Sequence, residues 1–289
     1  MSPTAELAPG TKATVLCDAL PYIRRFAGRV VVAKYGGAAI EEGGEGLHRF
    51  AEDVVLLRSV GVLPLVVHGG GPQIGDLMGR LGKVPEFRDG LRVTDSETLD
   101  IARMVLVGKV NRDIVGAINT HGPLAVGLSG EDGGLIMASQ RDPALGYVGD
   151  VVAVDPSILN RLVAGGLVPV VATIGSDSAG QAYNINADTV AGAVAEALDA
   201  EKLVFLTDVD GLRLDEADPS TLLTHVGADE LEEMVSEGAV SGGMIPKALA
   251  CVRAVRHGVG RAHILDGRVD HALILELLTP EGVGTMVTP

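Results

Sequence analysis

Short, almost unbroken apolar runs recur along the chain and are separated by longer segments with helical periodicity. A strand covered by helices on both faces has this composition, because neither of its faces meets water. The runs lie at 30–33, 62–67, 124–128, 167–174, 203–207 and 262–265. The helical patterns lie at about 45–60, 72–82, 96–120, 156–165, 188–200, 228–237 and 246–257. This alternation predicts an α/β fold with a central, mostly parallel sheet.

Three local patterns add detail to this outline. Residues 146–155 are typical of a hairpin strand rather than a buried one. Thr94 followed by Glu97 matches a capping box at the start of the long helix. Residues 11–26 form an amphipathic pattern interrupted by Pro21, which predicts a kinked helix outside the alternating pattern. This helix either packs on its own domain or docks on a neighbouring subunit.

Composition narrows the function class. With 289 residues and 47% hydrophobic positions, the chain can build one large α/β domain or two fused lobes. Its net charge of −15 disfavours nucleic acids and anionic membranes, and 3% aromatic residues provide little surface for stacking bases. Cys17 and Cys251 fit no metal or haem spacing, and residues 1–10 lack a signal-peptide pattern. We therefore expect a cytoplasmic protein with reduced thiols.

Three glycine-rich turns each follow a strand candidate. A glycine turn at the carboxyl end of a parallel strand lets backbone N–H groups approach a ligand, and the following helix adds its positive N-terminal end. The turns lie at 34–37, 68–73 and 127–134, and the first of them begins with a lysine. Together they predict a cradle for an anion such as phosphate. His68, which starts the second turn, is interpreted as a structural histidine.

Several common nucleotide-binding signatures are missing. The sequence contains no G-x-x-x-x-G-K-[ST] motif, no protein-kinase H-R-D and D-F-G pair, and no G-x-G-x-x-G opening a helix after a strand. The stretch 176–180 lacks the leading glycine of a nucleophile elbow. A P-loop enzyme, a protein kinase, a Rossmann dehydrogenase and a serine hydrolase are therefore disfavoured.

Five motifs occur in a fixed order: Lys-Tyr-Gly-Gly at 34–37, His-Gly-Gly-Gly-Pro-Gln at 68–73, Gly-Leu-Arg-Val-Thr-Asp at 90–95, Asn-Ile-Asn-Ala-Asp at 184–188 and Gly-Gly-Met-Ile-Pro-Lys at 242–247. This ordered set resembles the amino-acid-kinase family, and within it the enzymes that phosphorylate N-acetylglutamate. The resemblance runs from about residue 12 to the C-terminus. The sequence departs from the family at Ala38, where an asparagine is usual.

This resemblance implies a three-layer α/β/α sandwich and ATP-dependent phosphorylation of the side-chain carboxylate of N-acetyl-L-glutamate, in arginine biosynthesis. It implies that Lys34 and Lys247 stabilise the transferring phosphoryl group and that Asp188 holds both ammonium groups. Read alone, Lys34 could be a surface lysine and Asp188 a helix N-cap. Mg²⁺ would be carried mainly by the nucleotide phosphates. The backbone N–H groups that complete the cradle are those of Gly36, Gly37, Gly70 and Gly71.

Substrate and nucleotide contacts are implied in the same way. Arg92 would bind the α-carboxylate of the substrate with its planar fork, unless it forms a structural salt bridge. Asn184 would bind near the acetamido group. The nucleotide side consists of Thr207, Asp208, Gly211 and Met244; Met244 either lines the adenine pocket or belongs to the core.

The C-terminal stretches 263–268 and 276–285 resemble those of the arginine-inhibited members, which also carry an N-terminal helix that interlaces dimers into a hexamer, a trimer of dimers. The implied effector site for L-arginine consists of Tyr22, His263, Glu276 and Gly282. The chain would divide into an oligomerisation helix (1–28), a lobe for the amino-acid substrate and phosphoryl transfer (29–185) and a lobe for ATP and the effector (186–289).

Two other functions stay open from the sequence. Another amino-acid kinase would share this fold while accepting N-acetyl-aminoadipate, glutamate or carbamate. A non-catalytic arginine sensor would bind its ligand through the tail, although Lys34, Lys247 and Asp188 argue against it.

Overall fold

The computed structural model describes residues 8–36, 44–88, 90–215, 218–280 and 282–289; Gly37 and Ala38 lie outside these ranges. The strands, in chain order, are β1 (Val30–Tyr35), β2 (Leu63–His68), β3 (Phe87–Arg88), β4 (Leu91–Arg92), β5 (Ala125–Ser129), β6 (Ile136–Gln140), β7 (Val148–Val154), β8 (Val168–Ala172), β9 (Ile174–Ser176), β10 (Ala182–Ile185), β11 (Lys202–Thr207), β12 (Leu212–Arg213), β13 (Leu222–Leu223), β14 (His225–Gly227), β15 (Arg261–Asp266) and β16 (Thr285–Thr288). The α-helices are α1 (Pro9–Asp18), α2 (Leu20–Phe26), α3 (Glu45–Ser59), α4 (Gly71–Arg80), α5 (Ser96–Arg103), α6 (Asn111–Asn119), α7 (Ser157–Ala164), α8 (Ala187–Ala197), α9 (Ala228–Ser236), α10 (Met244–Arg256) and α11 (Ala272–Leu278).

The central sheet has the strand order β14-β16-β15-β11-β1-β2-β8-β5. Every neighbouring pair in it is parallel except β15 and β16. The predicted parallel sheet is therefore confirmed. All six apolar runs of the sequence supply strands to it.

Helices cover both faces of this sheet. Successive residues of a strand point to opposite faces. In β1, Val31 belongs to the apolar cluster that contains Val54 of α3, whereas Val32 belongs to the cluster that contains Val190 of α8. The three-layer α/β/α arrangement is confirmed by this division of the core.

The direction in which the chain adds strands reverses beside β1. From β1 the chain first extends the sheet through β2 towards β8 and β5, and later extends it on the other side through β11 and β15. In open α/β sheets, ligands bind beyond the carboxyl ends of the strands at such a reversal. The residues that follow β1, β2 and β11 therefore lie at the position where a binding site is expected.

A second, smaller sheet closes on itself from strands β6, β7, β9 and β10. The antiparallel pair β6–β7 confirms the hairpin predicted at 146–155. The run 167–174, predicted as one strand, is divided: β8 ends at Ala172 in the central sheet, and β9 begins at Ile174 in the small one. This sheet places β10, and Asn184 with it, beside β7.

The long helix predicted at 96–120 is present, but its middle differs from the prediction. A π-helical turn, Met104–Val110, separates α5 from α6. The capping box assigned to Thr94 is wrong, because the side chain of Asp95 accepts the hydrogen bond from the N–H of Thr98, while the hydroxyl of Thr94 donates to the carbonyl of Arg92. The actual cap therefore lies one residue later.

The N-terminal segment, predicted as one helix kinked at Pro21, forms two helices. Helix α1 ends at Asp18 and α2 begins at Leu20, one residue before Pro21. Helix α1 buries none of its residues, whereas α2 buries Phe26 in the core. None of the helices in the described ranges is long and apolar enough to span a lipid bilayer.

Candidate active site

Two lysines share one buried aspartate at the carboxyl edge of the central sheet. The Nζ atom of Lys34 lies 2.9 Å from Oδ1 of Asp188, and Nζ of Lys247 lies 3.2 Å from Oδ2. The side chains of Lys34 and Asp188 are 7% and 5% exposed. The structure thus brings together the three residues predicted to be catalytic, although they lie far apart in sequence.

The elements that carry these residues explain their convergence. Lys34 lies near the end of β1, Asp188 in the first turn of α8 and Lys247 in the first turn of α10. The alternative reading of Asp188 as an N-cap is wrong, because the side chain of Asn186 accepts the N–H groups of Asp188 and Thr189. The carboxylate of Asp188 is therefore left to bridge the two ammonium groups.

Electrostatics keep this carboxylate ionised. Burial alone would raise the pKa of Asp188, but the charges of Lys34 and then Lys247 outweigh it and hold the pKa below its usual value. One negative and two positive charges leave the cluster with an excess of positive charge. This excess is what a phosphoryl group in transfer requires.

Two of the glycine turns contain positions where a Cβ would crowd a neighbouring side chain. A Cβ on Gly36 would lie 2.7 Å from Nζ of Lys34, and one on Gly70 would lie 2.8 Å from Cδ2 of Leu106. Gly71 begins helix α4. The predicted cradle residue Gly37 lies outside the described residues. The first turn therefore adjoins Lys34, and in the second turn a Cβ on Gly69 would lie 3.2 Å from Ala187, the neighbour of Asp188.

The third glycine turn, 127–134, does not provide the predicted anion cradle. The N–H of Ser129 donates to the carboxylate of Asp132 at 2.7 Å, and the N–H of Gly130 donates to the carbonyl of Ala172 at 3.2 Å. Glu131 adds a second carboxylate, which pairs with Arg103. The turn satisfies its own donors and carries negative charge, so it does not favour an anion.

A cavity of about 840 Å³ opens beside Lys247. All four residues predicted for the nucleotide side, Thr207, Asp208, Gly211 and Met244, line it. Its wall also includes residues that the sequence analysis did not select, such as Arg213, Asp266 and Arg268. Asp266 ends β15 and Arg268 follows it at the same edge of the sheet, a position that could have pointed to them.

Gly211 shapes this cavity through its backbone. Its φ of +147° is one that other residues rarely adopt, and a Cβ there would lie 2.5 Å from Oγ1 of Thr285. Thr285 in turn accepts the N–H of Leu212 and donates to the carbonyl of Leu223. The glycine is required by the close approach of β16 to this turn.

Arg92 is held on the N-terminal half of α4. Its guanidinium donates to the carbonyl of Gly71 at 2.9 Å and lies 4.8 Å from the ring centre of Phe87. None of its recorded contacts is with a carboxylate, so the alternative of a structural salt bridge receives no support from the described residues. Asn184 lies in β10, where it pairs with Val148 of β7.

Glu276 of the predicted effector site is already engaged. Its Oε1 lies 2.9 Å from Nζ of Lys202 and 2.9 Å from Nδ1 of His263, and its Oε2 accepts the N–H of Val283. Burial alone would raise the pKa of Glu276, but contacts with His263 and Lys202 lower it to about 2. The prediction missed Lys202, which begins β11 and belongs to no recognised motif.

The other two effector residues lie near this carboxylate or its helix. A Cβ on Gly282 would lie 3.0 Å from Oε2 of Glu276. Tyr22 is half-buried in α2, which packs against α11, the helix that carries Glu276. His263 and Gly282 therefore lie next to Glu276, whereas Tyr22 belongs to a helix that packs on α11.

The family model described as the amino acid kinase family matches residues 29–266. The chain belongs to the amino acid kinase family. This amino acid kinase is 54% identical to the acetylglutamate kinase of Symbiobacterium thermophilum over 285 residues, which cover 96% of this chain and 97% of that one. It is 51% identical to the acetylglutamate kinase of a Nostoc species over 281 residues, covering 97% of this chain and 94% of the relative.

Solved structures agree with this assignment. The N-acetylglutamate synthase of Neisseria gonorrhoeae in complex with coenzyme A and N-acetyl-glutamate matches with a TM-score of 0.84 at 28% identity. The match covers 96% of this amino acid kinase but 63% of the synthase chain, so the kinase spans less than two thirds of that chain's length. The same synthase in complex with coenzyme A and L-arginine matches with a TM-score of 0.81 at 27% identity, covering 96% of this chain and 65% of the synthase chain.

Proposed function

We propose that this chain transfers the γ-phosphoryl group of ATP to the side-chain carboxylate of N-acetyl-L-glutamate, as a step of arginine biosynthesis. The observation that carries the proposal is the Lys34–Asp188–Lys247 cluster, which adjoins the first glycine turn at Lys34 and the large cavity at Lys247. Relatives at 51–54% identity along nearly the whole chain are acetylglutamate kinases, which supports the choice of acceptor.

The chemistry requires positioning and positive charge rather than a base. The acceptor carboxylate is already ionised at neutral pH, so no proton has to be removed. One of its oxygens attacks the γ-phosphorus, the bond to the β,γ-bridging oxygen breaks, and ADP leaves an acyl phosphate behind. In this scheme Lys34 stabilises the phosphoryl group on the acceptor side, and Lys247 stabilises the charge that develops on ADP.

Asp188 fixes both lysines before the substrates bind. Each ammonium group lies within ion-pair distance of the carboxylate, at 2.9 and 3.2 Å. Charges that are already oriented do not need to reorganise as the reaction proceeds, which is the main source of electrostatic catalysis. The backbone N–H groups of Gly36, Gly37, Gly70 and Gly71 complete the cradle in this proposal.

Arg92 and Asn184 bind the amino-acid substrate in this scheme. The guanidinium of Arg92 uses part of its donor set on Gly71 and Met78. A guanidinium has five N–H donors, so enough remain for a bidentate contact with the α-carboxylate. Asn184 would hydrogen-bond the acetamido group from β10.

ATP occupies the 840 Å³ cavity lined by Thr207, Asp208, Gly211 and Met244 in this proposal. Its size suits a nucleotide, and Lys247 on its wall would meet the phosphates. Among the residues that the structure describes, no group of three His, Cys, Asp or Glu side chains is arranged to hold a metal ion. We propose that Mg²⁺ is bound mainly by the phosphate oxygens of the nucleotide, as is usual for this ion.

Acceptor choice tests this proposal directly. ADP release from Mg·ATP is measured with N-acetyl-L-glutamate, N-acetyl-L-aminoadipate, L-glutamate and carbamate, in hydroxylamine to trap an acyl phosphate. Turnover and hydroxamate are expected with N-acetyl-L-glutamate. Lys247→Ala removes this turnover, whereas Lys109→Ala, at an exposed lysine, retains it. Turnover with only one of the other acceptors would contradict the assignment of N-acetyl-L-glutamate as the acceptor. If none of the four acceptors were turned over, the alternative of a non-catalytic arginine sensor would be favoured.

We further propose that L-arginine inhibits the enzyme by binding at Tyr22, His263, Glu276 and Gly282. The buried carboxylate of Glu276 offers the negative charge that a cationic ligand needs. The N. gonorrhoeae synthase, a protein of similar fold, has been crystallised in complex with coenzyme A and L-arginine. Activity measured over a millimolar range of L-arginine tests the proposal, and unchanged activity would contradict it.

The organisation of the chain remains part of the proposal. Residues 1–28 would form an oligomerisation arm, 29–185 the lobe for substrate and phosphoryl transfer, and 186–289 the lobe for ATP and effector. The exposed α1, which buries no residue in its own subunit, supports docking on a neighbour within a hexamer. Deleting residues 1–26 should reduce the mass of the oligomer measured by light scattering.

The two unpaired cysteines support a cytoplasmic location.

A further inference from the structure

A buried polar chain runs beneath the second glycine turn. The side-chain amide of Asn111 donates to Nε2 of His68 at 3.0 Å and to the carbonyl of Val170 at 2.9 Å. On its other side, the amide oxygen of Asn111 accepts from the guanidinium of Arg112. These partners fix which end of the amide is the donor, so the contact with His68 has one direction.

The contact with Asn111 determines the tautomer of His68. Because Nε2 accepts a hydrogen bond, the ring proton has to be on Nδ1. Nδ1 lies 3.0 Å from the carbonyl oxygen of Gly69, to which it can donate. His68 is fully buried, and burial lowers its pKa to about 4 despite the bond to Gly69. The ring is therefore neutral at physiological pH.

The carbonyl of Gly69 and the N–H of Gly70 belong to one planar trans peptide and point in opposite directions. A bond that holds the carbonyl towards the imidazole thus directs the N–H of Gly70 away from it. Gly70 is also packed closely: a Cβ there would lie 2.8 Å from Leu106 and 3.2 Å from Val110. Its orientation is therefore constrained from two sides.

The π-helical turn Met104–Val110 connects both constraints. It carries Leu106 and Val110, and Asn111 follows it directly as the first residue of α6. A π turn adds a residue to the helix and so changes where the following side chains point. Here it supplies the apolar contacts above Gly70 and the polar contact beneath His68.

We propose that His68 is a positioning residue: the hydrogen bonds from Asn111 to its Nε2 and from its Nδ1 to Gly69 fix the peptide whose N–H, on Gly70, is aimed at the transferring phosphoryl group. This inference rests on the proposed function, since it names the support of one donor in the cradle. His68 touches no substrate and exchanges no proton. It acts through the backbone of Gly69 and Gly70.

Two substitutions separate this role from simple packing. The amide nitrogen of Asn can reach the position of Nδ1, whereas the amide of Gln reaches that of Nε2. His68→Asn therefore keeps a donor to Gly69, and His68→Gln keeps only the contact with Asn111. A misplacement of a catalytic group by about 1 Å can lower kcat by about 10²-fold. We expect this loss in His68→Gln, with KM for ATP within about 3-fold, and a kcat within about 5-fold of the unmutated protein in His68→Asn.

The unmutated protein provides a second measurement that does not depend on folding of the variants. The ¹⁵N shifts of the His68 ring at pH 7 should identify a neutral imidazole protonated at Nδ1, with and without Mg·ADP. A proton on Nε2, or equal losses of kcat in two folded variants, would overturn the proposal. Turnover of the unmutated protein with N-acetyl-L-glutamate is measured in parallel, so its absence would count against the proposed function instead.

Discussion

Replacing Asp188 by Asn removes the charge that holds the two lysines together. The remaining amide keeps the shape of the side chain but leaves the buried ammonium of Lys34, which is 7% exposed, without a counterion. Breaking a buried ion pair by removing one partner costs about 3–5 kcal/mol.

We therefore expect Asp188→Asn to lower the free energy of unfolding by about 3–5 kcal/mol. The measurement is urea unfolding at pH 7, followed by circular dichroism. Turnover should also fall, by about 10²-fold or more, because the lysines are no longer oriented before the substrates bind. Steady-state kinetics with N-acetyl-L-glutamate and Mg·ATP would measure this loss.

Glu196→Gln is a matched control on the same two helices. Glu196 of α8 pairs with Arg253 of α10, but this pair is partly exposed. An exposed pair contributes at most about 1 kcal/mol, so both stability and turnover should change little. The reasoning would be refuted if Asp188→Asn behaved like Glu196→Gln, with a loss below about 1 kcal/mol and kcat within about 3-fold of the original.

Three further outcomes are expected. Burial raises the pKa of Asp53 from 3.8 to about 6. The stability that this group gives the folded state is therefore complete below pH 3.8 and falls by up to about 3 kcal/mol as the pH rises through 6. In urea unfolding between pH 4 and 7, the stability of Asp53→Asn should rise relative to that of the unmutated protein, and a constant difference between the two would contradict this. Gly70→Ala should lower the stability measured by thermal unfolding by about 1–3 kcal/mol, because its Cβ would lie 2.8 Å from Leu106. Gly71→Ala is the control, since no atom lies within 4 Å of its Cβ. An equal loss of stability in Gly71→Ala would refute the steric argument. Glu276→Gln should abolish inhibition by L-arginine in a dose–response assay, and persistent inhibition would place the effector elsewhere.

Residues near strand ends were the most predictable part of this site. Lys34, His68 and Thr207 each end or nearly end a buried apolar run, and parallel strands bring their carboxyl ends to one edge. The motif resemblance then supplied partners such as Asp188 and Lys247. These positions could be found because the ends of buried strands can be located in the sequence and the resemblance names their partners, without knowledge of the strand order.

Contacts that depend on tertiary packing were not predictable in the same way. Lys202 and Glu276 form an ion pair although they are 74 residues apart in sequence, and no local sequence pattern predicts this pairing. The π turn before Asn111 has the apolar pattern of an ordinary helix. The third glycine turn was misjudged for a related reason, since Asp132 satisfies its backbone only once the chain is folded.

The buried pair between Lys202 and Glu276 has a consequence for any cationic effector. An arginine that reaches this carboxylate must displace an ammonium that is tethered beside it and therefore present at a fixed, high local concentration. Competition from Lys202 lowers the affinity of the pocket for arginine, so the pocket would be occupied only at high arginine concentrations. Nζ of Lys202 also lies 5.2 Å from the ring centre of Phe26 in α2. Displacing Lys202 would remove its contact with Phe26. Ligand binding at Glu276 would thereby affect the packing of α2 and of the N-terminal segment that contains it.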